Sequence, residues 1–248
     1  MHPPRGTATP PPMSRSDTDS ATPWRNFYGR LKGKTLQPRQ QQDFNEVLPK
    51  FLLKGVSRED NPERVMLDVD AIRGDKPLWL EVGFGSGEHI VHQAQANPDV
   101  LIIGCEIYVN GVASLLGKIR REGVTNILIH AGDARDLLDV LPADSLDKMF
   151  LLYPDPWPKS RHHRRRFVTP EHLDPLASKL TSGHEFRVAT DIEDYVRQTL
   201  EEVPRAGFTL TEQPDDLGTA WDDWFSTRYE QKALREGRAP HYMTFIRD

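Results

Sequence analysis

One cysteine, Cys105, stands in 248 residues, so an internal disulfide is excluded and nothing argues against a reducing compartment. It sits in the apolar run LIIGCEI, which predicts a buried strand residue rather than a reactive thiol. No apolar stretch approaches the roughly 20 residues of a membrane helix, and the N-terminus lacks the apolar core of a signal peptide. The chain is therefore expected in the cytoplasm. Metal-ligand spacing is missing too. Among nine histidines, His89 and His92 stand three apart, but no HExxH pattern exists, and no metal is expected. The net charge of −5 excludes a protein that coats nucleic acid with its whole surface. Any nucleic-acid contact must come from a local patch.

What is present divides into three parts. Residues 1–23 hold six prolines and almost nothing apolar, too little to offset the entropy of ordering, and are expected to be a disordered tail. Residues 24–62 mix Arg25, Arg30, Lys32, Lys34 and Arg39 with scattered apolar positions and an apolar segment near Val47 to Leu53. They read as a basic extension that packs on a domain or a ligand. Residues 63–248 carry the domain itself. From Pro77 onward, short apolar runs (PLWLEVGFG, VLIIGCEI, NILIHAGD, SLDKMFLLYP, EFRVATD) alternate with helical stretches near 87–96, 109–121, 136–141, 169–180 and 192–202. That is the pattern of βαβ units, an α/β protein with a mostly parallel sheet. FTLTE and YMTFIRD add two strands and an antiparallel finish.

Ligands of such a sheet bind outside the carboxyl ends of its strands. The first end is Glu81-Val-Gly83-Phe-Gly85-Ser-Gly87, where alternating glycines permit a tight turn and close approach of a ligand. The dinucleotide pattern G-x-G-x-x-G is not met, because Glu88 occupies the position of its third glycine. The second end is Glu106, an acid placed to accept both hydrogen bonds of a ribose diol. The third is Asp133, placed to touch an adenine edge or to stay structural. Together these describe a nucleoside site with no phosphate to hold, which suits S-adenosylmethionine (AdoMet), whose sulfonium and amino group favour carboxylates.

The fourth end is YPDPWPKSRHHRRR, residues 153–166. Its prolines predict a stiff, extended Pro154 to Pro158, presenting Asp155 and Trp157 above the sheet edge. The order Pro-Asp-Pro-Trp resembles the D-P-P-[YFW] turn of AdoMet enzymes that methylate planar nitrogens. Arg161, His162, His163, Arg164, Arg165 and Arg166 follow directly, placed to hold RNA phosphates beside that turn.

These motifs in this order, with GCEIYVNG, ATDIEDY and TRYE, resemble the bacterial tRNA (guanine-46-N7)-methyltransferases from roughly Phe44 to Asp248. The resemblance implies the seven-strand class I, Rossmann-like AdoMet methyltransferase sheet and methyl transfer to N7 of guanine 46 in the tRNA variable loop. It implies Asp155 as the catalytic aspartate, with Glu81, Gly83, Gly85, Gly87, Glu106, Asp133 and Asp155 around AdoMet. It further implies Lys159, Asp191, Thr227, Arg228, Tyr229 and Glu230 around the substrate. Residue by residue the alternatives are plainer: Asp191 as an N-cap of the helix near Ile192, and TRYE as a polar helix piece after Trp221, Trp224 and Phe225, whose spacing reads as core. Guanine N7 is an in-plane lone pair, so no strong general base is required, and Asp155 is expected to serve as a fixed charge and acceptor. No obligate protein partner is expected, in a monomer or homodimer. Competing readings are an AdoMet enzyme for another RNA nitrogen, an RNA-binding module with a degenerate AdoMet fold, and a nicotinamide dehydrogenase, disfavoured by Glu88.

Overall fold

Parallel strands buried on both faces by helices read as continuous apolar runs, and the computed structural model, which describes residue 29 and residues 31–211 and 216–248, assembles them so. The strands are β1 (Leu78–Val82), β2 (Leu101–Cys105), β3 (Ile127–His130), β4 (Leu146–Leu152), β5 (Leu180–Thr190), β6 (Phe208–Leu210) and β7 (His241–Arg247). Their order in one seven-stranded sheet is β3-β2-β1-β4-β5-β7-β6. Strands β1 to β5 run parallel, and β7 enters antiparallel between β5 and β6. This is the expected class I methyltransferase arrangement. It puts the reversal of strand order, and hence a crevice, between β1 and β4.

The helices are α1 (Pro38–Glu46), α2 (Leu48–Phe51), α3 (Val69–Arg73), α4 (Glu88–Ala96), α5 (Val109–Glu122), α6 (Ala134–Leu138), α7 (Pro170–Ala177), α8 (Glu193–Arg205) and α9 (Arg228–Arg235). Side chains alternate across a strand, so Leu78, Leu80 and Val82 join the core under α6, α7 and α8, while Ile102, Ile127 and Ile129 pack under α1, α4 and α5. Val112, Leu115, Leu116 and Ile119 form the buried stripe of α5, which stops where Gly123 turns left-handed at φ 69°. Cys105 is buried, and that burial raises its thiol pKa well above the ordinary value.

Two elements differ from the sequence expectation. Helix α6 starts earlier, at Ala134, because Asp133 caps it by accepting from Arg135 N at 2.9 Å. Strand β5 begins at Leu180, where it pairs with Leu146 before a bulge. Its polar opening LTSGH carries no hydrophobic signal.

The described part of the basic extension packs on the helix layer. Phe44 and Leu48 are buried there, Asp43 pairs with Arg120 at 3.1 Å, and Leu53 N donates to Ile129 O at 2.9 Å along the free edge of β3. Leu31 O accepts from Val109 N, and Asn110 bonds Gly33 N and Lys34 O, bringing this segment against the start of α5. The proline-rich tail, Arg25 and Arg30 lie outside the described residues. No helix among the described residues is long and apolar enough to cross a membrane.

His130 closes β3, buried, with Nε2 donating to Asp133 O at 3.1 Å. Burial pushes its pKa down to about 4. An unfolded histidine titrates near ~6.5, so between these values the unfolded chain binds the extra proton. Stability from this residue is intact above that upper value and is lost as pH falls toward the lower one, a loss on the order of 3 kcal/mol. Denaturant midpoints measured from pH 7.5 to 4.5 are expected to fall less steeply in His130→Gln than in the wild type. Equal slopes would remove His130 as the source.

Candidate active site

The residues expected to act lie at the carboxyl ends of β1, β2, β4 and β5 and on the first turn of α9. After β1 the chain turns through Gly83, Gly85 and Gly87 at φ 73°, 55° and 80°, values that L side chains adopt at a cost. A Cβ on Gly83 would meet no protein atom within 4 Å, whereas one on Gly85 would stand 3.0 Å from Tyr229 Cε2. The loop is therefore open at its first glycine and roofed at its second.

Glu106 fixes this loop. Its Oε2 accepts from Gly85 N at 2.7 Å and its Oε1 from Ile107 N and Tyr108 N at 2.8 Å. Burial raises its pKa, the three N–H groups pull the other way, and the charge of Asp155 adds to the rise. Asp155 stands at the surface, yet the loop around it excludes enough water to raise its carboxyl pKa as well. Tyr229 completes the group: burial raises its phenol pKa, with Glu106 and Asp155 contributing in the same direction. Glu106 and Asp155, close enough for their charges to couple, and the open Gly83 offer the carboxylate acceptors and backbone clearance that a cationic nucleoside requires.

Glu81 is buried at the end of β1, where His89 Nδ1 lies 2.7 Å from its Oε2. His89 in turn packs its ring on Phe150 and Trp224, with centroids 4.8 and 5.3 Å away. This pair was not anticipated as a pair. Its only local signal is the eight-residue step from a strand end to the first turn of the following helix.

The TRYE segment arches over the glycine loop. Thr227 caps α9 by accepting from Glu230 N at 3.3 Å, and Arg228 pairs with Glu88 at 3.1 Å. Lys118 of α5 binds the same Glu88 at 3.3 Å and Ser86 O at 2.8 Å. Glu230 faces inward, buried, with both oxygens accepting from Trp224 Nε1 at 3.0 Å and with the Tyr242 hydroxyl donating to it. The expected substrate contact from Glu230 is not what this structure shows: the carboxylate is buried as an internal brace on Trp224 and Tyr242. Trp221 and Trp224 do pack as core against Phe150 and Tyr242. Phe225 does not: it is 43% exposed and stacked on His92.

Asp133 caps α6 and pairs with Arg135, whose Nε lies 3.0 Å from each of its carboxylate oxygens. Asp191 is not an N-cap. Ile192 holds that position, and Asp191 instead accepts from Arg238 Nε, a partner 47 residues away that no local pattern announces.

The proline turn is bent rather than extended throughout. Tyr153 and Trp157, each preceding a proline, adopt φ 49° and 41°, so Asp155 is bracketed by two left-handed kinks. Lys159 is exposed at the start of a 3-10 helix, Ser160–Arg165. Arg161 and Arg164 on that helix are exposed, whereas Arg166 is buried to 1%. Arg166 is therefore corrected from a phosphate contact to an internal one. Its guanidinium meets Pro156 O, Asp194 and Gln198. Among the described residues no cluster of His, Cys, Asp or Glu is arranged to hold a metal ion.

The family described as "Putative methyltransferase" matches residues 75–243. A tRNA (guanine-N(7)-)-methyltransferase of Ruegeria sp. (strain TM1040) is 63% identical over 98% of this chain and 96% of its own length. One of Roseobacter denitrificans is 65% identical over 91% and 97%. The chain belongs to the tRNA (guanine-N(7)-)-methyltransferase family. It is a methyltransferase. Among solved structures, an antibiotic-related methyltransferase aligns at TM-score 0.54 and 19% identity, covering 79% of this chain and 100% of its own. The 16S rRNA methyltransferase KamB aligns at 0.53 and 18%, covering 74% and 95%. Both share the fold.

Proposed function

We propose that this chain transfers a methyl group from AdoMet to N7 of guanine 46 in the variable loop of tRNA, in the cytoplasm where that substrate is found. The observation that carries the reading is the juxtaposition of the acidic pair Glu106 and Asp155 beside the open Gly83 with the exposed Arg161 and Arg164 of the adjoining 3-10 helix. A methyl donor and a polyanion would meet there.

AdoMet supplies an electrophilic methyl group on a sulfonium. Glu106 would accept a ribose hydroxyl on the lone pair that its three backbone partners leave on Oε2, and its charge, with that of Asp155, favours a cation there. The open backbone at Gly83 lets the nucleoside lie close, and Tyr229 closes the pocket above Gly85 and limits water. Asp155 accepts hydrogen bonds from the guanine N1–H and exocyclic amine, which orients N7. Its negative charge also grows more favourable as positive charge develops on the base. No group has to remove a proton before the transfer, so the chain's main contribution is alignment. Lys159, next to the turn, would steer the nucleotide phosphate.

Incubation with unmodified tRNA and methyl-labelled AdoMet, then nuclease digestion and mapping, is expected to give 7-methylguanosine at position 46 alone. Label on another nitrogen would replace this reading with that of a different RNA methyltransferase. The absence of both label and AdoMet binding would favour a degenerate binding module.

A further inference from the structure

A 3-10 helix has three residues per turn, so positions i and i+3 eclipse and the helix presents three ridges. In Ser160–Arg165 and its C-cap Arg166 the basic run RHHRRR sorts onto those ridges with a different environment on each. Arg161 and Arg164 form the first ridge and face solvent. His162 and Arg165 form the second and meet Trp157: the His162 ring stands edge-on with centroids 6.0 Å apart, and the Arg165 guanidinium lies 5.0 Å over the indole. His163 and Arg166 form the third and converge on Asp194 Oδ2 at 3.1 and 2.7 Å.

We propose that only the first ridge reads RNA, and that Arg166 is a positioning residue for Asp155, clamping the catalytic turn to helix α8. Arg166 spans the two elements. Its Nε donates to Pro156 O at 2.8 Å, one residue from Asp155, while Nη1 donates to Asp194 O at 3.2 Å and Gln198 Oε1 at 2.9 Å. The guanidinium also lies 5.2 Å over the buried Tyr195 ring. Lysine cannot reproduce this, since a single ammonium lacks the planar fork that reaches a carbonyl on one side and a carboxylate on the other. Left-handed residues such as Tyr153 and Trp157 persist only where their surroundings over-determine them. The second ridge supplies that constraint at Trp157 and the third supplies it at Pro156. Phosphate bound on the first ridge is thereby rigidly coupled to the placement of Asp155.

The proposal rests on the tRNA methyltransferase reading, and the experiment separates the two. Wild type, Arg166→Lys, Asp194→Asn and the double variant Arg161→Ala/Arg164→Ala are compared in 7-methylguanosine formation and in the salt dependence of tRNA binding, with AdoMet titration as a check of the folded pocket. Arg166→Lys and Asp194→Asn are each expected to lower kcat by about 10- to 100-fold, the scale of an ångström-sized misplacement, with the tRNA Kd and its salt slope within twofold of wild type. The Arg161/Arg164 double variant is expected to raise KM and to reduce the slope by roughly 1.4 to 1.8, the loss of two phosphate contacts. Asp194 is half-exposed at the head of α8, so Asp194→Asn removes the charge that holds Arg166 Nη2 without opening a cavity and decides the matter if Arg166→Lys fails to fold. A kcat within twofold of wild type in Asp194→Asn, or a flattened salt slope in Arg166→Lys, overturns the proposal. A wild type that forms no 7-methylguanosine overturns the functional reading instead.

Discussion

Asp155→Ala is expected to bind AdoMet and tRNA within a few-fold of wild type while kcat falls by at least ~10²-fold, the scale of removing one preorganised electrostatic partner of the transition state. Substrate affinity is expected to survive because the proposed phosphate contacts fall on Arg161 and Arg164, on the next turn of chain. Binding of the donor is expected to survive because the glycine loop is held without Asp155, by Glu106 on Gly85 N and by Cys105 O on Gly83 N. The side chain works only when ionised, and its surroundings raise its pKa. The ionised fraction, and with it kcat, should therefore decline on acidification at a higher pH than an ordinary carboxylate would dictate. Asp155→Asn keeps an acceptor but cannot titrate, so its profile should lose that acid limb along with most of the rate. Near-wild-type turnover in Asp155→Ala, or an unchanged acid limb in Asp155→Asn, would refute the role assigned to this carboxylate.

The second large effect is expected at Glu106. In Glu106→Ala the AdoMet dissociation constant should rise by about 10- to 100-fold, since a hydrogen bond to a charged acceptor, worth about 1.5 to 3 kcal/mol, is lost. The same change strips the acceptor from three backbone N–H groups, at Gly85, Ile107 and Tyr108, so the thermal midpoint of the unliganded protein should drop as well. Calorimetric titration separates the two losses. Glu106→Gln should recover most of the stability, because an amide oxygen still accepts from those groups, yet it should bind AdoMet weakly for want of charge. A Glu106→Ala protein that binds AdoMet as tightly as wild type would remove Glu106 from the cofactor site.

How far each residue could be placed from sequence followed the range of its interactions. The parallel strands were legible because strands covered on both faces must be apolar throughout, and LIIGC is buried at every position. Helix α5 was legible because its stripe repeats at helical spacing. The polar opening of β5 was not, since its pairing with β4 comes from the backbone. Glu106 and the glycine loop could be found because a strand end, an acid and alternating glycines are adjacent in the chain. Glu230 could be located but not oriented. Its partner Tyr242 lies on β7 and meets Glu230 only when α9 packs against that strand.

The basic run shows the division most sharply. By itself the sequence determined that a stiff, acid-bearing turn is followed at once by a dense positive charge, because composition and proximity along the chain need no folding to be true. Only the tertiary structure decided which of those charges face outward. The run winds as a 3-10 helix against Trp157 on one side and Asp194 on the other, and those partners are set by strand order and helix packing. A buried guanidinium must find acceptors, and Arg166 finds them on Pro156 and Asp194. The same residue type two positions earlier, at Arg164, is left to solvent, where the proposed RNA contact would fall.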